Sequence, residues 1–112
     1  MIRSEAIELS SNRAGGEGTL TVSKILNPED MEGKAEAIMK ITFPVGTSIG
    51  VHQHNDAFEQ YHVLSGSGIF HDNGEDKQIK AGETGLMKPG GIHGIKNTGE
   101  SEMVIIAFFF VT

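Results

Sequence analysis

An all-β fold is the expectation for this chain, and three observations carry it. Short runs rich in Val, Ile, Thr and Phe are punctuated by 15 glycines. Several of those runs alternate apolar and polar residues with the two-residue period of a strand. No stretch shows helical periodicity beyond about a single turn. At 112 residues the chain makes one domain, 1–112, which buries roughly two thirds of the surface its unfolded form exposes. No internal repeat or linker divides it.

Taken in order, Arg13-Ala14-Gly15-Gly16-Glu17-Gly18 reads as a flexible entry, and Thr19 to Leu26 alternates as a strand. Asn27-Pro28-Glu29-Asp30 supplies an N-cap, a proline at the first helical position and early acids, enough for one helical turn. From Ala37, the residues Ala37, Met39, Ile41 and Phe43 share one face against Lys40 and Thr42 on the other, a half-buried strand that ends at Pro44. Asp72-Asn73-Gly74, between two extended runs, marks a tight hairpin. The final run, Val104 to Val111, is apolar on both strand faces, so its outer side needs cover. Either the N-terminal strand or a second copy of the chain would supply it.

Chemistry concentrates in four residues. His52 and His54 lie two apart in an extended segment and so face the same way. Glu59 opens a further strand whose inward members include Tyr61 and Val63, and His93 re-enters after the Pro89-Gly90 turn. Three imidazoles and one carboxylate form a mixed nitrogen and oxygen ligand set suited to one divalent ion, whether Mn, Fe, Zn, Ni or Co.

These residues also carry a resemblance. Gly46, His52, His54, Glu59 and Gly66 match the first motif of the cupin superfamily, G-x5-H-x-H-x(3,4)-E-x6-G, without departure. Residues 82–97 resemble the second motif, G-x5-P-x-G-x2-H-x3-N, through Gly82, Gly90, His93 and Asn97, with Lys88 where the first proline is expected. The resemblance implies a cupin-type double-stranded β-helix, a jelly-roll barrel, with motif 1 over 46–66 and motif 2 over 82–97. It further implies a divalent metal held by His52, His54, Glu59 and His93, and small-molecule chemistry at that metal. The leading expectation is a metal-dependent dioxygenase, decarboxylase or isomerase acting on a small oxygen-rich or anionic molecule. The alternative is a cupin that binds a metal or small ligand as a sensor or sequestering module, without turnover. Phosphosugar isomerisation is disfavoured because no arginine lies near either motif. A homodimer is preferred over a monomer as the means of covering the last strand.

Other residues are read as structural. His62 has the wrong parity to share the face of Glu59, and His71 beside the hairpin is expected to be solvated. Asp56 is the rival carboxylate to Glu59, and Lys88 is a surface lysine or an anion guide. Glu29 and Asp30 are loop carboxylates without a visible partner, which leaves Tyr61 as a weak candidate for a catalytic hydroxyl donor. Fifteen acidic against nine basic residues give a net charge of −6 with no basic stripe, which argues against nucleic acid as a partner. The absence of cysteine excludes disulfides and thiolate sites and fits a cytoplasmic setting. The charged start of the chain has no apolar leader, and no apolar run reaches the ~20 residues of a membrane helix.

Overall fold

The computed structural model describes residues 1–111, with side chains described through Phe110. Ten strands follow one another along the chain: β1 (Ala6–Ser11), β2 (Thr19–Leu26), β3 (Ala35–Phe43), β4 (Ser48–Gln53), β5 (Ala57–Ser65), β6 (Ser67–Asp72), β7 (Glu75–Lys80), β8 (Thr84–Met87), β9 (Ile92–Lys96) and β10 (Met103–Val111). They form a six-stranded sheet in the order β1-β2-β3-β10-β5-β8 and a four-stranded sheet in the order β4-β9-β6-β7. Every pairing is antiparallel, and the crossovers between the sheets are those of a jelly-roll barrel.

The alternating residues of both sheets meet in one core. Leu20, Val22, Ile41, Phe43, Tyr61, Val63 and Ile105 come from the larger sheet, and Ile49, Phe70, Ile79 and Ile95 from the smaller. Each of these large side chains, fully withdrawn from water, contributes about 1.5–3 kcal/mol of burial. The helical signal at Asn27 is a short 3-10 turn, Pro28–Met31, closed by a reciprocal bond pair between Asn27 and Asp30. The hairpin forms where expected, with Asp72 opposite Glu75 and both Asn73 and Gly74 at positive φ, as a two-residue turn demands.

Three expectations are corrected. Arg13–Gly15 is a 3-10 turn laid against β4 and not a loose entry. His71 is half-buried and meets Asp76 at 2.8 Å instead of facing water alone. The N-terminal strand does not cover β10: β1 pairs with β2 at the sheet edge, with β2 and β3 lying between it and β10 in the same sheet. The outward residues Ile106 and Phe108 of β10 are half-buried, and Phe110 is exposed.

Asn97 holds the loops at the far end of the barrel. It is fully buried, and its amide donates to the Phe43 and Ser101 carbonyls, each at 2.9 Å, while its side-chain oxygen accepts from the Gly99 amide at 2.9 Å. A short amide that satisfies three backbone groups at once explains why asparagine suits this place.

Candidate metal centre

The strand bearing His52 is bulged. Its register against β9 shifts between Ile49 and His52, so both residues, three apart, line one cavity. A bulge adds a residue on one strand and re-aims the next side chain inward. His54 follows just beyond the strand, and its ring meets that of Phe109 edge-on at 4.6 Å. Beside it the turn Lys88–Gly91 is closed by the Gly91 amide on the Lys88 carbonyl at 3.1 Å, with Pro89 second and Gly90 third at φ 86. That is a type II turn, in which the third residue needs a positive φ, so glycine at 90 is the local requirement. Lys88 is exposed, as a surface reading expects. Gln53 donates to the Gly90 carbonyl at 2.8 Å, which docks the turn onto the histidine segment.

Three of the four expected ligands converge. The ligand atoms of His52, His54 and Glu59 all lie within 4.8 Å of one another. Donors about 2.1 Å from a shared ion would stand roughly 3–4 Å apart, so the spacing is close to that of a coordination shell. Glu59 is buried, and one of its carboxylate oxygens is 3.1 Å from His52 Nε2 and 3.3 Å from His54 Nε2. His52 Nδ1 donates to the Gly50 carbonyl at 2.8 Å, which leaves Nε2 as the lone-pair nitrogen of the neutral ring. Two acceptor groups then face each other across 3.1 Å, an arrangement satisfied by a proton on Nε2 or by a metal ion held between them. The donor set therefore fits a divalent ion.

His93 stands beside this group but outside it. It is buried on β9 directly opposite His52 in the ladder, stacked on Phe70 with ring centroids 5.9 Å apart. Its Nε2 lies 3.6 Å from an Asp72 oxygen. Burial pulls its pKa below the ordinary 6.5, against the opposing pull of Asp72, so the ring is kept neutral. Asp72 went unremarked in the sequence because it reads there only as part of a hairpin turn. Asp56 is exposed and is not part of the three-residue group. His62 points away from the cavity, as its parity requires, and meets the Thr84 hydroxyl at 2.5 Å. Tyr61 is buried near Glu59; burial first, then the Glu59 charge, raises its pKa well above 10. It thus holds its proton beside the Glu59 carboxylate.

The cavity over these groups measures about 280 Å³ and includes Arg13, Glu36, Met39 and Phe109 in its wall. Arg13 and Glu36 were missed by sequence reasoning. Neither lies in a motif, and strand parity predicts nothing about a turn that folds over from the chain start.

The hydrogen bond to Glu59 is the main cause that raises the His52 pKa above 6.5, despite partial burial. In the metal-free protein this pair adds stability below the ordinary imidazole value and loses it as pH rises through the raised one. Metal loading is therefore expected to expel a proton from His52 in mildly acidic solution and progressively fewer above it. Calorimetric titration of manganese in two buffers of unlike ionisation heat counts those protons. A count independent of pH would contradict the pairing.

A small antiparallel jelly-roll barrel with a histidine and glutamate cation centre at one end is the architecture of a cupin, and residues 39–109 match the family profile of the cupin domain. The chain belongs to the cupin family. It is 39% identical over 109 residues to an oxalate-binding protein of Thermotoga maritima, covering 96% of this chain and 90% of that protein. A crystal structure from Thermotoga maritima, described as that of a predicted oxalate decarboxylase, superposes with a TM-score of 0.95 at 37% identity, covering 100% of this chain and 99% of the other. The cupin domain of Schizosaccharomyces pombe Cnp3 shares the fold alone, with a TM-score of 0.77 at 15% identity over 96% of this chain and 70% of that one. Among the described residues no helix is long and apolar enough to cross a membrane.

Proposed function

We propose that this protein holds one divalent metal ion through His52, His54, Glu59 and His93 and binds a small carboxylate of the oxalate class at that ion. The observation that carries the reading is the meeting of two imidazole nitrogens with one buried carboxylate oxygen at 3.1 and 3.3 Å. His93 as fourth ligand is supported by its place opposite His52 and by its neutral, buried ring. A bound ion supplies Lewis-acid character and open positions for a chelating oxygen pair. The chain's own residues do the rest: Gly50 sets the His52 tautomer, Tyr61 holds its proton beside Glu59, and Phe109 and Met39 give the cavity an apolar wall. The ligand class is supported by the oxalate-binding relative and by a cavity volume of about 280 Å³, which suits a small molecule.

Turnover of that ligand is the second reading. It is favoured by Glu36, an exposed acidic residue of the cavity wall that is not among the converging ligands and so is available for acid–base work beside them. Manganese-loaded protein titrated with oxalate, with carbon dioxide release and oxygen uptake recorded, separates the outcomes. Saturable binding with carbon dioxide evolved supports the enzyme, saturable binding without product supports the binding module, and no binding refutes both.

The same reading takes the protein as a homodimer. Phe58, Leu86 and Phe110 are exposed on the outer face of the neighbouring strands β5, β8 and β10, at 38%, 50% and 43%, with the half-buried Ile106 and Phe108 beside Phe110 on β10. Placing a charge there by Phe110→Glu is expected to convert a dimer to monomer in sedimentation velocity. A wild-type protein that sediments as a monomer would sink the dimer.

A further inference from the structure

The wall of the metal cavity holds a cation that no motif marks. Arg13 lines that cavity together with His52, His54, Glu59 and Tyr61. Yet among the described residues the guanidinium, on a half-buried residue, has only neutral contacts: Ser10 Oγ at 3.3 Å and Met39 Sδ at 3.9 Å. None of the ion pairs among the described residues includes it. A guanidinium carries five N–H donors in a planar fork, so most of its capacity to grip a carboxylate is unused.

Its position is built into the backbone. The turn that carries it has Asn12 and Ala14 in the left-handed region, at φ 53 and 52, and is closed by the Gly15 amide on the Asn12 carbonyl at 3.0 Å. It sits so close to β4 that a Cβ on Gly50 would come 2.1 Å from the Ala14 carbonyl oxygen, and one on Gly16 would come 2.2 Å from that of Ser48. Only glycines permit that approach. Two bonds lock the strap: the Ser48 amide to the Glu17 carbonyl and the Glu17 amide to Ser48 Oγ, both at 2.9 Å. The strand that aims His52 inward thus also seats Arg13 on the cavity wall.

We propose that Arg13 is a specificity-determining residue, gripping the outer carboxylate of a metal-held ligand so that the cavity prefers small dianions to monoanions. This rests on the metal-centred reading above. A divalent ion with Glu59 has about one net positive charge, and Arg13 adds a second, which matches two carboxylates. Glu36, the other charge in the wall outside the ligand group, is exposed, so solvent screens it more than it screens the half-buried Arg13.

Oxalate and glycolate, chelators of similar size with two charges and one, test the assignment by calorimetric titration into manganese-loaded protein whose metal content has been counted. Arg13→Met is expected to hold the same manganese, to bind oxalate about ten- to a hundredfold more weakly and to leave glycolate binding unchanged. Arg13→Lys, which keeps the charge but loses the fork, is expected to fall between. Oxalate affinity equal in wild type and Arg13→Met overturns the role of Arg13 while the metal-held ligand stands, and so does a parallel loss for glycolate. A wild-type protein that holds manganese but takes no oxalate overturns both.

Discussion

Glu59→Gln is expected to lower affinity for a divalent metal by more than about a hundredfold while leaving the barrel folded. Groups that merely orient a ligand already cost about 10- to 100-fold when removed, and Glu59 is the one anionic member of the converging group. Glutamine keeps the size and one oxygen but gives up the charge that draws a cation between His52 and His54. It also leaves a polar group beside Tyr61, so the effect should be confined to the site. Metal content after purification without chelators, followed by titration of manganese into both proteins, checks it. A glutamine variant that retains stoichiometric metal would mean that the acceptors converge for some other purpose, such as sharing a proton.

The second large effect is on stability. Asn97→Leu puts an apolar side chain of similar size at a fully buried position and strands the Phe43 and Ser101 carbonyls and the Gly99 amide. Each stranded buried group costs about 1–3 kcal/mol, partly relieved where a loop opens to water. A net loss of about 3 kcal/mol is expected, which lowers the melting temperature by on the order of 10 °C for a domain of this size. Because Asn97 lies outside the metal group, manganese affinity measured well below the transition should be unchanged. A thermal midpoint within a degree or two of wild type would show that these bonds are replaced by solvent.

Much of this was legible along the chain because strands obey a local rule. Thr19–Leu26 forms β2 with the expected ends, the alternation of Met39, Ile41 and Phe43 gives the buried face of β3, and Asn73-Gly74 makes the hairpin. The likeness to the cupin motifs placed His52, His54 and Glu59 together before any coordinates, and they do converge. Parity alone was less informative at β4, where the bulge puts Ile49 and His52 on one cavity although an unbroken strand would set them on opposite faces.

What the chain determined by itself was the kind of fold, the places of its strands and turns, and the ligand types available for a cation. These follow from backbone preference and side-chain period, which act over a few residues. The tertiary structure alone decided the neighbours that come from far along the chain: Asp72 beside His93, Arg13 folded over the cavity through the Gly16 and Gly50 contact, and β1 at the sheet edge instead of over β10. Such contacts depend on how two sheets close around one core, and no spacing within a segment encodes that closure.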